Sequence, residues 1–256
     1  MSAPHRPTAL DGVDLLVAID DTDDLHSPGT GRRCRGLMVE LASAGLGEAA
    51  GATRHQLLVD PRVPYTSHNS SACIAWRLAG AVADVVTLAG TFLAANSAAA
   101  ADPGLAVVAP ARLDDAAREA LVAFGRSAQR DVLVQDDAWA LAARTGVDLS
   151  AHGGTRDGVI GALAAVGLAL SGEDGLFLDL PGVRELAGAC TYAELLATTP
   201  IDVARDPDGR EPAPSDRLEL GDWVRPVLRE GRAILLLQPA VDGVWTVQPR
   251  AVVKTY

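Results

Sequence analysis

The pattern of apolar and polar positions divides the chain into alternating strands and helices. Leu15, Leu16, Val17, Ala18 and Ile19 form a run with no polar position, so the strand they predict is buried on both faces. A helix pattern through Leu37, Met38 and Leu41 follows, ended near Gly45 and Gly47. Residues 54–60 and 72–78 predict strands on either side of a polar, proline-bearing loop. Residues 81–101 read as an alanine-rich helix stopped by Asp102-Pro103-Gly104, with a short strand at 105–109. Helices at 114–126 and 136–144 flank a brief strand or extended piece at 132–134. A glycine-rich loop then opens an apolar helix from Gly158, with strands at 175–180 and 184–190 and a short helix at 191–198. Residues 206–216 read as a proline-rich linker. Beyond it, residues 217–256 predict a small β appendage, too short for an independent barrel and so packed on the main body, residues 13–205. The expected fold class is α/β, or mixed α+β, with no internal repeat.

The first strand delivers Asp20, Asp21, Thr22, Asp23 and Asp24 to one point. A strand buried on both faces cannot bend before it leaves the sheet, so these acids should emerge at its carboxyl end, where open α/β sheets place ligands. A strand-to-helix turn favours Asp, Thr, Gly and Pro in any case. Four carboxylates in five residues go further, because their repulsion calls for a compensating cation. Asp20, Asp21 and Asp23 are therefore candidate Mg²⁺ ligands and catalytic residues. The turn that follows carries Gly29, Thr30, Gly31 and Arg32 into a helix start, which suits an anion. Thr30 is a candidate catalytic hydroxyl, with Thr22, Gly29, Gly31 and Arg32 as candidate nucleotide contacts. The second informative stretch, His152-Gly153-Gly154-Thr155-Arg156-Asp157-Gly158, also leads directly into a helix. All seven join the candidates, Arg156 as the donor that neutralises developing charge. Close packing accounts for Gly161 and Gly167 in the helix body.

Composition narrows the classes. The 256 residues are 48% hydrophobic, ample for a buried core. A net charge of −11 argues against direct nucleic-acid binding unless a local arginine cluster overrides it. Lys254 is the one lysine, which excludes a G-x-x-x-x-G-K-[ST] phosphate loop, a kinase-type strand lysine and a core Schiff base. Cys34, Cys73 and Cys190 lie far apart, with neither a disulfide framework nor a zinc spacing. No apolar run suggests a signal peptide or a membrane span, so the cytoplasm is the expected compartment and no membrane partner is expected.

Three motifs occur in order: IDDTD at 19–23, RHQLLVDPRVPYTSHNSSACIAW at 54–76 and HGGTRDGVIGALAAVGL at 152–168. Together they resemble the archaeal agmatidine synthetase family, which modifies the wobble cytidine of an isoleucine tRNA with ATP and agmatine. The resemblance implies a kinase-like ATP domain with a ferredoxin-like domain, and ATP and Mg²⁺ as cofactors. It stops short of the family's OB-fold and zinc ribbon. The family's C-T-T helix start, whose first threonine takes phosphate, is met here by Thr30-Gly31-Arg32-Arg33-Cys34, where Thr30 is the nearest hydroxyl. Its K-T-R-G-N-G becomes Thr66-Ser67-His68-Asn69-Ser70-Ser71, which keeps an asparagine and loses both basic residues. Asn69 and Ser70 become candidate nucleotide contacts, whereas a lone His68 is more often a spectator.

The expectation is a Mg²⁺- and ATP-dependent phosphotransfer or ligase-type enzyme acting on a small-molecule acceptor rather than directly on tRNA. Two alternatives stand beside it: a non-catalytic nucleotide-binding or regulatory module, and a tRNA-modifying enzyme with a separate RNA-binding subunit. Oligomeric state is open, a homodimer included.

Overall fold

The computed structural model describes residues 11–63, 69–241 and 243–254. Thr66, Ser67 and His68 lie outside the described residues. The chain divides into two compact units, Gly12–Ser171 and a second running from Gly172 onward.

In the first unit the fully apolar run becomes β1 (Leu15–Asp20), buried as expected up to Ile19. It is followed by α1 (Thr30–Ser43), β2 (Gly47–Gln56), β3 (Ser70–Leu78), α2 (Val82–Asn96) and β4 (Gly104–Val108). Then come α3 (Asp115–Ala128), α4 (Gln135–Thr145), β5 (Asp148–Ala151) and α5 (Gly158–Ser171). The strand order is β5-β4-β1-β3-β2, with every pair antiparallel. The mixed α/β class expected from the pattern holds, and the sheet that presents the acids is antiparallel and covered on both faces. Its register gives the covering. Ser150 is level with Leu105, and Leu105 with Ile19. His152, two residues on from Ser150, meets α2 at Gly90. Ile19 therefore faces the α1 and α2 layer, and Asp20, the next residue, faces α5.

Small residues set the spacing of these layers. β2 starts upstream of the predicted 54–60 because the buried positions there are Ala50, Gly51, Ala52 and Thr53, which carry little apolar signal. The chain at 132–134 is not a strand; Val132 and Val134 are exposed. α1 buries Cys34, Leu37 and Leu41, one helical face. α5 is buried along most of its length, against β1, β3 and β4 on one side and α3 and α4 on the other. A Cβ at Gly167 would overlap the Leu121 carbonyl of α3.

The second unit contains β6 (Leu176–Asp179), β7 (Ala189–Thr191), α6 (Tyr192–Thr198), β8 (Val203–Arg205) and β9 (Arg217–Glu219). It continues through β10 (Val227–Arg229), β11 (Arg232–Val241), β12 (Val244–Val247) and α7 (Arg250–Val253). Its strands run β6-β10-β11-β12-β9-β7, with β8 parallel on β11. Thr191 and Glu194 form a reciprocal cap on α6. The core gathers Phe177, Leu195, Leu218, Leu235 and Trp245. Residues 217–254 thus share a sheet and core with residues 176–205. Within the stretch expected as a linker, Asp206 Oδ1 accepts the Asp208 and Arg210 N–H groups at 2.9 Å.

Gly167→Ala should force α3 away from α5. Overpacking of this kind costs roughly 1–3 kcal/mol, so a thermal melt should show a loss of about 4–8 °C; an unchanged Tm would mean the two helices tolerate a wider spacing.

Candidate active site

A cavity of about 560 Å³ opens in the first unit at the carboxyl end of β1. Asp20, Asp21, Asp23, Asp24, Asp102 and Asp157 line it together with Leu25, Thr30, Leu57, Leu58, Asn69, Ser70, Val132, Gly158, Ile160 and Gly161. One part of the wall is therefore strongly acidic and another apolar.

The four clustered acids divide into two pairs with different work. Asp20 lies against Gly161 of α5, where a Cβ would collide with its carboxylate. Asp21 adopts φ 49°, a left-handed conformation costly for a non-glycine residue. The Asp102 backbone N–H favours its charged form, against burial. Thr22 is fully buried and its hydroxyl donates to that of Thr30 at 3.2 Å. Asp23 accepts the Thr30 N–H at 3.1 Å and its hydroxyl at 2.8 Å, which caps the start of α1. Asp24 accepts the His26 N–H at 2.9 Å and closes a turn. Asp23 and Asp24 thus shape the loop, and Asp20 and Asp21 are left for the cavity.

Asp102 is the site residue that sequence reading missed, because Asp-Pro-Gly after a helix reads as a stop signal. Its Oδ1 accepts the Thr155 N–H at 2.7 Å and its Oδ2 the Thr155 hydroxyl at 2.6 Å. Gly154, at φ 43°, leaves the room this carboxylate takes. Gln135 Nε2 donates to Asp157 Oδ1 at 2.6 Å and to the Thr155 carbonyl at 2.8 Å. The loop 153–157 is thereby fastened to the loop before β4.

Burial and charge together perturb the two central acids. Burial above all, then the Asp21 and Asp23 charges, pushes the Asp20 carboxyl up to about 8. Burial, then Asp102, Asp23 and Asp157, pushes Asp21 up to about 6.

Thr22, Gly29, Gly31 and Arg32 are not among the lining residues, nor are His152, Gly153, Gly154, Thr155 and Arg156. The His152 ring shares a hydrogen bond of 2.9 Å with the Ser150 hydroxyl under α2. Arg156, expected to meet developing charge, is exposed in the turn entering α5 at φ 73°. The N–H groups of Gly158, Val159 and Ile160 are taken by the carbonyls of Asp102, Arg156 and Asp157. What the cavity exposes of this stretch is Asp157, Gly158, Ile160 and Gly161. Among the described residues, no three His, Cys, Asp or Glu side chains are arranged to hold a metal on their own. No helix of the described residues is long and apolar enough to cross a membrane.

No protein-family model and no curated protein matches the chain. Solved structures do. A tRNA fluorescent labeling enzyme is 27% identical with a TM-score of 0.51, covering 60% of this chain and 35% of that one. A complex of TiaS, a tRNA agmatidine synthetase, with its isoleucine tRNA and ATP is 26% identical with a TM-score of 0.51, covering 60% and 36%. Over that stretch the fold is TiaS-like. The complex of TiaS with the same tRNA, AMPCPP and agmatine matches at 25% identity and a TM-score of 0.51, again covering 60% and 36%. The chain thus spans about a third of the length of the structures it matches, and the TiaS likeness is partial.

Two expectations are corrected by these neighbours. The acidic net charge argues against direct nucleic-acid binding, yet TiaS is solved with its tRNA bound. Net charge sums the whole chain, whereas contact depends on the surface that meets the RNA. A small-molecule acceptor in place of tRNA also finds no support, since both TiaS complexes contain tRNA.

The raised carboxyls have a sign that can be measured. Between about pH 4 and 8 the folded protein keeps a proton on Asp20 that the unfolded chain releases. That stabilisation is complete below the unfolded value and disappears as pH rises through the folded one. In the presence of chelator, Tm should fall by about 10 °C from pH 5 to 8.5, equivalent to roughly 4 kcal/mol, and Asp20→Asn should remove most of the slope. A wild-type Tm that rises across this window contradicts the assignment.

Proposed function

We propose that the first unit is the nucleotide-handling part of an ATP-dependent, ligase-type enzyme that modifies tRNA. The observation that carries this reading is the pairing of a TiaS-like fold with a cavity whose innermost carboxylates, Asp20 and Asp21, are both pushed above the usual carboxylate range. At neutral pH Asp20 keeps its proton until a cation approaches it. A free triphosphate would be repelled by the same wall, and a magnesium-bound one would not.

The residues fit this role. Mg²⁺ is usually held by one or two protein carboxylates with phosphate oxygens and water completing its shell. Asp20 and Asp21 are two such carboxylates, and Asp23 is already engaged in capping α1. When bound, Mg²⁺ with ATP would supply an activated phosphoryl or adenylyl group whose charge the ion helps to neutralise. The protein's contribution is positional. Thr155 and Gln135 hold Asp102 and Asp157 in place. Leu25, Leu57, Leu58 and Val132 offer an apolar surface of the kind a purine ring occupies.

The test is ATP consumption with and without unmodified isoleucine tRNA transcript and agmatine. We expect turnover that depends on the tRNA and falls about 100-fold or more in Asp21→Asn, the scale typical of losing one electrostatic contact to a transition state. Turnover indifferent to both tRNA and Asp21→Asn contradicts the proposal. Nucleotide binding without turnover would favour a non-catalytic binding module.

A further inference from the structure

Behind one wall of the cavity lies an arginine that neither the acids nor the glycine loops account for. Arg54, on β2, is half-buried, and its guanidinium donates to neutral acceptors: Nε to Ser70 Oγ at 2.9 Å and Nη2 to Gln56 Oε1 at 2.8 Å. Among the described residues no acidic side chain pairs with it. Burial draws its guanidinium below the usual range, the direction expected of a cation held without a counter-charge. Ser70 begins β3 and lines the cavity. The β1/β3 register runs to Ile19 opposite Ala72, so Ser70 stands beside the point where Asp20 and Asp21 leave β1.

A serine hydroxyl has one proton and two lone pairs. Accepting from Arg54 uses a lone pair and leaves the O–H to donate, polarised by the charge behind it. Arg62, the arginine that lines the cavity itself, is bound to Asp60 through Nε and Nη2 at 2.8 Å and is mostly exposed, so it is already paired.

We propose that the Ser70 hydroxyl, backed by Arg54, binds a non-bridging phosphoryl oxygen of the nucleotide. Ser70 makes the contact, and Arg54 is a positioning residue that orients and polarises it. The inference deepens the nucleotide reading and rests on it. It gives the cavity a fixed cation one hydrogen bond behind its wall, a role that a lysine fills by direct contact in many phosphate-binding proteins.

Isothermal titration with MgATP, magnesium tripolyphosphate and adenosine tests it, on variants whose melts show an intact fold. Arg54→Met and Ser70→Ala should each weaken MgATP about 10-fold. The double variant should be no weaker than either single one, as expected of one coupled unit. Ser70→Thr should recover most of the loss, and adenosine binding should not change. Wild-type strength for MgATP in Ser70→Ala overturns the Arg54–Ser70 assignment and leaves the nucleotide reading standing. A wild type that binds tripolyphosphate through Ser70 but not MgATP overturns the nucleotide reading and keeps the anion site. Binding of neither overturns both.

Discussion

Repulsion among carboxylates brought to one end of a buried strand is the constraint from which the site follows. β1 is sealed between two helix layers up to Ile19, so its first ionisable side chain, Asp20, is presented where the sheet ends and nowhere earlier. Asp21 follows in a left-handed conformation. Asp102 comes from the loop before β4, and Asp157 from the loop before α5. At an effective dielectric of about 20, two like charges at contact distance oppose each other by roughly 4 kcal/mol. The protein meets that cost partly by holding protons on Asp20 and Asp21 to higher pH than ordinary carboxylates do. On the proposed reading, a cation that arrives with phosphates would meet the rest of that cost and bring the anion too.

The rest of the first unit serves this convergence. α5 can pass close to Asp20 only because Gly161 has no side chain there, and it can press on α3 only because of Gly167. The acid Asp23 is occupied in holding α1, and Thr155 with Gln135 in holding the loops of Asp102 and Asp157. Of the polar residues at the end of the sheet, these fix the geometry and few are left over to meet a ligand. Ser70 is one that is left over, with the charge of Arg54 behind it.

Much of this was legible in the sequence where the physics is local. An apolar run with no polar position can be only a doubly covered strand or a buried helix, and of the four aspartates at its end two turn out to shape the loop while two are left facing the cavity. The helices 114–126 and 136–144 show their caps and periodicity, and the structure holds them at Asp115–Ala128 and Gln135–Thr145. What was not legible depends on partners far along the chain. β2 is rich in alanine, glycine and threonine, so its burial arises from neighbours rather than from its own hydrophobicity. Asp102 looks like a helix stop until Thr155, fifty-three residues later, is seen to hold it. His152 sits in the most nucleotide-like stretch of the chain, yet alternation along the backbone aims it at α2. Residues 206–216 have the composition of a linker, while the compact units part at Gly172.

The central claim is that the acids at the end of β1 accept a nucleotide only when a divalent ion accompanies it. Measuring the ATP dissociation constant at fixed pH in EDTA and in millimolar Mg²⁺ addresses this directly. The account predicts at least a 10-fold tightening by Mg²⁺ in the wild type and little change in Asp20→Asn/Asp21→Asn. Equal affinity with and without the ion, in a folded wild-type protein, would contradict it.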